Sequence, residues 1–167
     1  MGLDQNNWER AKKWTEPWGS WTPQNYSKTI PEVQIEKGFL PYDYGIFSFM
    51  ADFELIKKKA FLIPRKLEDL LNPSWIRNIL LEDPRTSSPG LAFLFYTKEV
   101  YQSNYLDYWK KLKTQWLTLA PGWDTAYGLF LKGEGPLVWS YTTSQAYHRK
   151  EMKKTEPILQ ERYQALL

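Results

Sequence analysis

The sequence predicts an α/β domain, a mostly parallel sheet with helices on both faces, and three observations carry that expectation. Short apolar runs at residues 76–81 and 136–141 alternate with helical periodicities at 91–101 and 123–131. The intervening loops hold helix-start and helix-stop residues in the right order: Ser88-Pro89 before one helix, Gly133 after another. A chain of 167 residues matches one such domain and can bury a core, so residues 1–167 are read as a single α/β lobe.

Taken in order, residues 4–14 read as a helix, with Asp4 as N-cap and Trp8, Ala11 and Lys12 at helical spacing. Residues 15–31 are rich in Pro, Gly, Ser, Asn and Trp and read as a long irregular loop. Strands are expected at 33–35 and 39–50, the second interrupted by Pro41 and Gly45. Residues 66–71 form a short helix that Asn72-Pro73 ends, because proline cannot continue the hydrogen-bond ladder. The run 76–81 is a buried strand. Ser88 then caps a helix over 91–101, with Pro89 at its first position. Tyr105, Trp109, Leu112 and Trp116, spaced four, three and four apart, mark a second helix. Trp123, Ala126, Tyr127, Phe130 and Leu131 share one face of a third, which stops at Gly133. A strand at 136–141 and helices at 144–153 and 157–166 complete the chain.

The formal net charge of +3 is small, and the runs Lys57-Lys58-Lys59, Lys110-Lys111 and Lys153-Lys154 lie beside acidic residues, which speaks against nucleic acid. No apolar stretch approaches the ~20 residues that span a bilayer. Cysteine is absent, so thiol chemistry is excluded. Met1-Gly2-Leu3-Asp4 has neither a basic n-region nor an apolar h-region, which taken alone reads as a cytoplasmic start.

Catalytic readings lack parts. His148, the single histidine, reads as a surface residue on a lysine-rich helix, and no second His or Cys supplies metal-ligand spacing. Glu82 and Asp83 are adjacent at a strand end and point to opposite faces, so they are poorly placed to share a substrate. Walker and Rossmann glycine loops are missing. A binding site remains. Thr86, Ser87 and Ser88 bring hydroxyls and free N–H groups to a helix mouth, an arrangement suited to a phosphate or hydroxyl-bearing tail and equally to a plain N-cap. Trp123 opens its helix after Pro121-Gly122, Tyr141 closes a strand, and Tyr147 follows past Thr142-Thr143-Ser144. In a parallel sheet these positions share one edge with the serine loop. The 17% aromatic content (9 Trp, 11 Tyr and 8 Phe) is consistent with rings that stack on a flat or cationic ligand.

Four segments resemble, in order and spacing, the periplasmic thiamine-binding proteins, solute receptors of ABC importers. They are Leu40-Pro41-Tyr42-Asp43-Tyr44-Gly45, the stretch from Glu82 to Gly90, the stretch from Gly122 to Glu134, and the stretch from Ser140 to His148. Gly2-Leu3-Asp4-Gln5-Asn6-Asn7 resembles that family's segment near the crossing between lobes. The resemblance implies a type II periplasmic-binding-protein clamshell, of which this chain is the second lobe, closing on thiamine, thiamine phosphate or thiamine diphosphate and delivering it to ABC permease subunits. It implies that Ser87 and Ser88 hold the hydroxyl or phosphate end and that Trp123, Tyr141 and Tyr147 contact the ring system. Tyr42, Asp43 and Tyr44 lie in a family motif without an assigned ligand role. It further implies a periplasmic parent with a signal peptide and first lobe upstream, no enzyme activity, no cofactor and no metal. Weak binding by the lone lobe and self-association through the face its partner lobe covers are expected. The alternatives are a receptor lobe for ferric iron, phosphonate or polyamine, an enzyme domain acting on a phosphorylated substrate, and an interaction module whose aromatics are all structural.

Overall fold

The computed structural model describes residues 3–34, 38–152 and 162–166, and the chain divides into two compact units, Met1–Gly45 and Ile46–Leu167. In the first unit, 3-10 turns at Gln5–Asn7 and Lys12–Trp14 flank one α-helical turn, α1 (Trp8–Ala11). Asp4 precedes them in extended conformation, but its side chain caps nothing, contrary to the sequence expectation. The segment 15–31 is irregular apart from a turn at Tyr26–Lys28, and Trp18 meets Tyr26 and Trp21 edge-on at 5.2 and 6.1 Å. Val33 is not in a strand. Pro31 opens a 3-10 turn, Pro31–Val33, and the Gln34 amide donates back to the Thr29 carbonyl at 3.0 Å. The expected strand position 35 lies outside the described residues. Tyr42 and Tyr44 are exposed.

The second unit is built on five strands: β1 (Phe47–Asp52), β2 (Ile79–Glu82), β3 (Trp116–Ala120), β4 (Leu137–Tyr141) and β5 (Tyr163–Leu166), in the order β3-β2-β4-β1-β5. β2 pairs parallel with β3 and β4, whereas β1 pairs antiparallel with β4 and β5. Four strands therefore run one way and β1 alone runs the other, so the sheet is mixed, with two parallel and two antiparallel pairings where a mostly parallel one was expected. β1 begins only at Phe47, so the expected strand loses residues 39–46. Proline at 41 offers no ladder donor there.

Alternation along the strands supplies two cores. Phe49, Ala51, Ile79, Leu81, Leu137 and Trp139 face α3 (Ser88–Tyr101), α4 (Tyr105–Leu112), α2 (Phe53–Lys58) and the 3-10 turns Leu67–Leu71 and Pro73–Trp75. Met50, Leu80, Ala120 and Val138 face α5 (Trp123–Leu131), with Ala126, Tyr127, Phe130 and Tyr163 closing that side. Both faces are thus covered, as the near-continuous apolar strands demand.

Three details depart from expectation. Ser87, not Ser88, is the N-cap of α3: the Gly90 N–H donates to its hydroxyl at 3.4 Å, and Ser88 is already helical. Trp116 starts β3 instead of ending α4, because its spacing from Leu112 suits a helix face while its backbone pairs with Ile79. Residues 163–166 form a strand against β1 where a helix was expected. By contrast, α5 ends as predicted at Gly133, whose φ of +76° is left-handed. The helix after β4, α6 (Thr143–Met152), also falls where expected.

Candidate functional site

Because β2, β3 and β4 are parallel, their carboxyl ends lie at one edge of the sheet, and the chain segments leaving them form a rim. The rim is tied across strands: the Thr86 hydroxyl, in the loop after β2, donates to the Pro121 carbonyl after β3 at 2.7 Å. α3 is pressed close behind this loop. A Cβ on Gly90 would stand 2.4 Å from the Glu82 carbonyl oxygen, so only glycine fits.

The two acids at the end of β2 have opposite fates. Asp83 accepts from the Arg85 N–H at 2.9 Å and pairs with its guanidinium at 2.5 Å, which holds the carboxyl down at about 2. Glu82 is 1% exposed and neither carboxyl oxygen has a hydrogen-bond partner; burial pushes it up to about 8. The sequence expectation that the pair would not share a substrate agrees with this division.

On the other side of the rim, the Trp123 indole N–H donates to the Ser140 hydroxyl at 2.8 Å, and its ring stacks on Tyr127 at 4.8 Å. Trp123 also meets Tyr141 edge-on at 6.5 Å, and Tyr141 packs against Phe47 at 4.6 Å. Tyr147 projects from α6 and is 60% exposed, touching His148 edge-on at 5.8 Å. Of the residues singled out in the sequence, Trp123 and Tyr141 are therefore in contact and half-buried. Tyr147 stands on the next helix, Ser87 ends the neighbouring β2 loop as the buried N-cap of α3, and Ser88 is the first residue of that helix. None of these three rings is fully buried.

His148 is not the surface residue its lysine-rich surroundings suggest. It is 5% exposed, its Nε2 lies 2.5 Å from the Tyr127 hydroxyl, and its ring packs on Tyr163 at 4.7 Å. Burial lowers its pKa. Ser140, Ser144, Tyr127 and His148 escaped sequence reading. The available signal was the i, i+4 spacing of Ser144 and His148, which puts both on one face of a helix that begins directly after β4.

Among the described residues no group of three or more His, Asp or Glu is placed to hold a metal ion, and no helix is long and apolar enough to cross a membrane. A cavity of about 400 Å³ opens between α3 and the sheet, walled in part by Phe47, Tyr96 and Trp139. None of the five predicted ligand residues lines it.

The sheet is covered on both faces and offers hydroxyls and half-exposed rings at its parallel carboxyl edge. Residues 4–161 match the bacterial extracellular solute-binding protein family, and the chain belongs to it. It is 40% identical over 154 residues to a thiamine-binding periplasmic protein of Salmonella typhimurium, covering 92% of this chain and 46% of that one. It is 39% identical over 169 residues to a protein of the same name from Brucella abortus, at 99% and 46% coverage. A solved periplasmic thiamin binding protein superposes with a TM-score of 0.81 at 36% identity, over 98% of this chain and 48% of that one. The chain thus spans about half the length of the relatives it matches.

Proposed function

We propose that this chain is a ligand-binding lobe of a periplasmic receptor for thiamine or its phosphate esters, serving an ABC permease, and that it acts by binding and not by catalysis. Trp123, Tyr141 and Tyr147 contact the ring system. Ser87 and Ser88, at the N-terminus of α3, receive the hydroxyl or phosphate end. The observation that carries the reading is the meeting of Trp123 and Tyr141 on the same sheet edge as the α3 mouth. A cationic heteroaromatic ring is attracted by such faces, and a helix N-terminus favours an anion. The names of the relatives supply the particular ligand. A single lobe encloses only one side of its ligand, and affinity depends on enclosure, so binding weaker than micromolar is expected.

The test is a titration of tryptophan fluorescence with thiamine and thiamine diphosphate, alongside Trp123→Phe and Trp123→Ala. Saturable quenching is expected, with affinity reduced about tenfold in Trp123→Ala, near the upper range of one cation–π contact. A folded wild-type chain with no response, or quenching unchanged in both variants, overturns the assignment.

A further inference from the structure

Trp123 is held by three contacts of different kinds. Its ring lies on Tyr127 at 4.8 Å with 21° between the planes, Tyr141 meets it edge-on at 6.5 Å, and its indole N–H donates to the Ser140 hydroxyl at 2.8 Å. The stacking contact fixes the plane of the indole but not which way round the ring lies in that plane. The second side-chain torsion of tryptophan is broad and roughly two-fold, and a half-turn about it keeps the ring in the same plane. That half-turn carries the N–H to the opposite side, away from Ser140. The hydrogen bond is therefore the contact that separates the two orientations.

The acceptor is itself fixed. Ser140 is fully buried in β4, where its backbone pairs with Ser48 of β1. Its Oγ lies 3.0 Å from Ser144 Oγ, and Ser144, also buried, stands in the first turn of α6. An indole N–H can only donate, whereas a serine hydroxyl both donates and accepts. One arrangement uses each group in a role it can fill: Trp123 donates to Ser140, and Ser140 donates to Ser144.

We propose that Ser140, steadied by Ser144, is a positioning residue that selects the orientation of the Trp123 ring at the rim and so presets the surface on which a ligand ring stacks. This rests on the reading of Trp123 as a ligand contact. Tyr127 covers one face of the indole, so a ligand ring can stack only on the other. The half-turn that Ser140 opposes exchanges the pyrrole and benzo halves of that face. Ser140 is 0% exposed, so its effect on a ligand passes through the indole. Without the hydroxyl, the N–H loses its partner and the ring is free to adopt both orientations. Part of the binding free energy then goes into choosing one of them.

The test is a double-mutant cycle on the whole chain, pairing Ser140→Ala with Trp123→Phe, whose ring has no N–H to place. Thiamine affinity is read from backbone amide shifts in an NMR titration. Ser140→Ala is expected to weaken binding about fivefold when residue 123 is tryptophan, within the range of one neutral hydrogen bond. In the Trp123→Phe background the same change is expected to cost less than about twofold. Equal losses in both backgrounds, or no loss in either, overturn the proposal, because a serine that serves only packing acts whether or not residue 123 carries an N–H. In the free chain, the Trp123 indole N–H signal is assigned by its loss in Trp123→Phe. Its exchange with solvent is expected to quicken about tenfold in Ser140→Ala, and an unchanged rate also overturns the proposal. Ser140→Cys, nearly the same shape with a poor acceptor, gives both readings should Ser140→Ala fail to fold. Ser144→Ala is expected to quicken the indole exchange less than Ser140→Ala does, and a wild-type rate there overturns the steadying role. Thiamine that fails to bind the wild-type chain overturns the ligand reading, and the exchange rates of the free chain still decide whether Ser140 holds the ring.

Discussion

At Glu82 the chain carries a carboxyl group into the sheet and gives it nothing to bond. Its unfolded-state value is near 4.5 and its folded value about 8, so between those limits the unfolded chain binds fewer protons than the folded one. Stability therefore falls as pH rises from 4.5 to 8 and stays low above that range. Glu82→Gln keeps the shape and abolishes the titration. The variant is expected to gain a few kcal/mol over wild type at pH 8.5, about 1.4 kcal/mol for each tenfold change in proton affinity as an upper bound, and to lose that advantage near pH 4. Urea midpoints across the range check this, and a wild-type–variant gap independent of pH refutes it. The sequence showed that Glu82 and Asp83 would part company. It could not show which would be buried, because the difference lies in Arg85 reaching Asp83 while Glu82 stays within β2, its side chain alternating with that of Leu80 toward the α5 face. His148 failed for the same reason: the rings that bury it come from α5 and from β5.

α3 joins the rim to the core through its first turn. Ser87 caps it, Gly90 lets it touch β2, and the Trp139 indole N–H holds the Pro89 carbonyl at 2.9 Å. Gly90→Ala sets a methyl group against the backbone of Glu82, which cannot rotate away. A loss of about 3 kcal/mol is expected, the upper end for overpacking. Ser87→Ala removes only a cap, at about 1 kcal/mol. Thermal unfolding of both variants measures the order, and equal losses would mean that α3 can shift outward without cost. This element was legible because serine, proline and glycine stood together before an apolar run. β3 was not, since Trp116 continues the helical spacing of Tyr105, Trp109 and Leu112, and only its pairing with Ile79 separates it from that helix. β5 offers four residues with no period at all; its strand character comes wholly from β1.

At the scale of the molecule, the second unit is closed by residues 110 positions apart. The Asp52 carboxylate, fully buried, caps α2 at Leu55 and receives a two-pronged hydrogen bond from Arg162, whose Nη2 lies 2.7 Å away. Arg162→Met leaves a buried charge uncompensated and is expected to cost about 3 kcal/mol in urea unfolding. Adding Asp52→Asn, which keeps the cap, is expected to restore most of it; a double variant no better than the single one would show that the arginine matters through packing instead. The fold class was readable throughout, since it needs only alternating strand and helix signals. The position of β1 as the lone reversed strand was not, because no local pattern records the direction in which a strand will be laid.

That reversed strand sets a timetable for biosynthesis. β1 lies between β4 and β5, so it cannot take its place in the sheet until β4 has been made, and its outer edge stays bare until residues 162–166 follow. The ribosome needs on the order of a few seconds to add the twenty-odd residues between those two events. During that interval the nascent chain holds a nearly complete sheet with an open strand edge and an acid awaiting its arginine. The moment of greatest vulnerability to misassembly falls just before Arg162 emerges, and a pause in translation there would lengthen it.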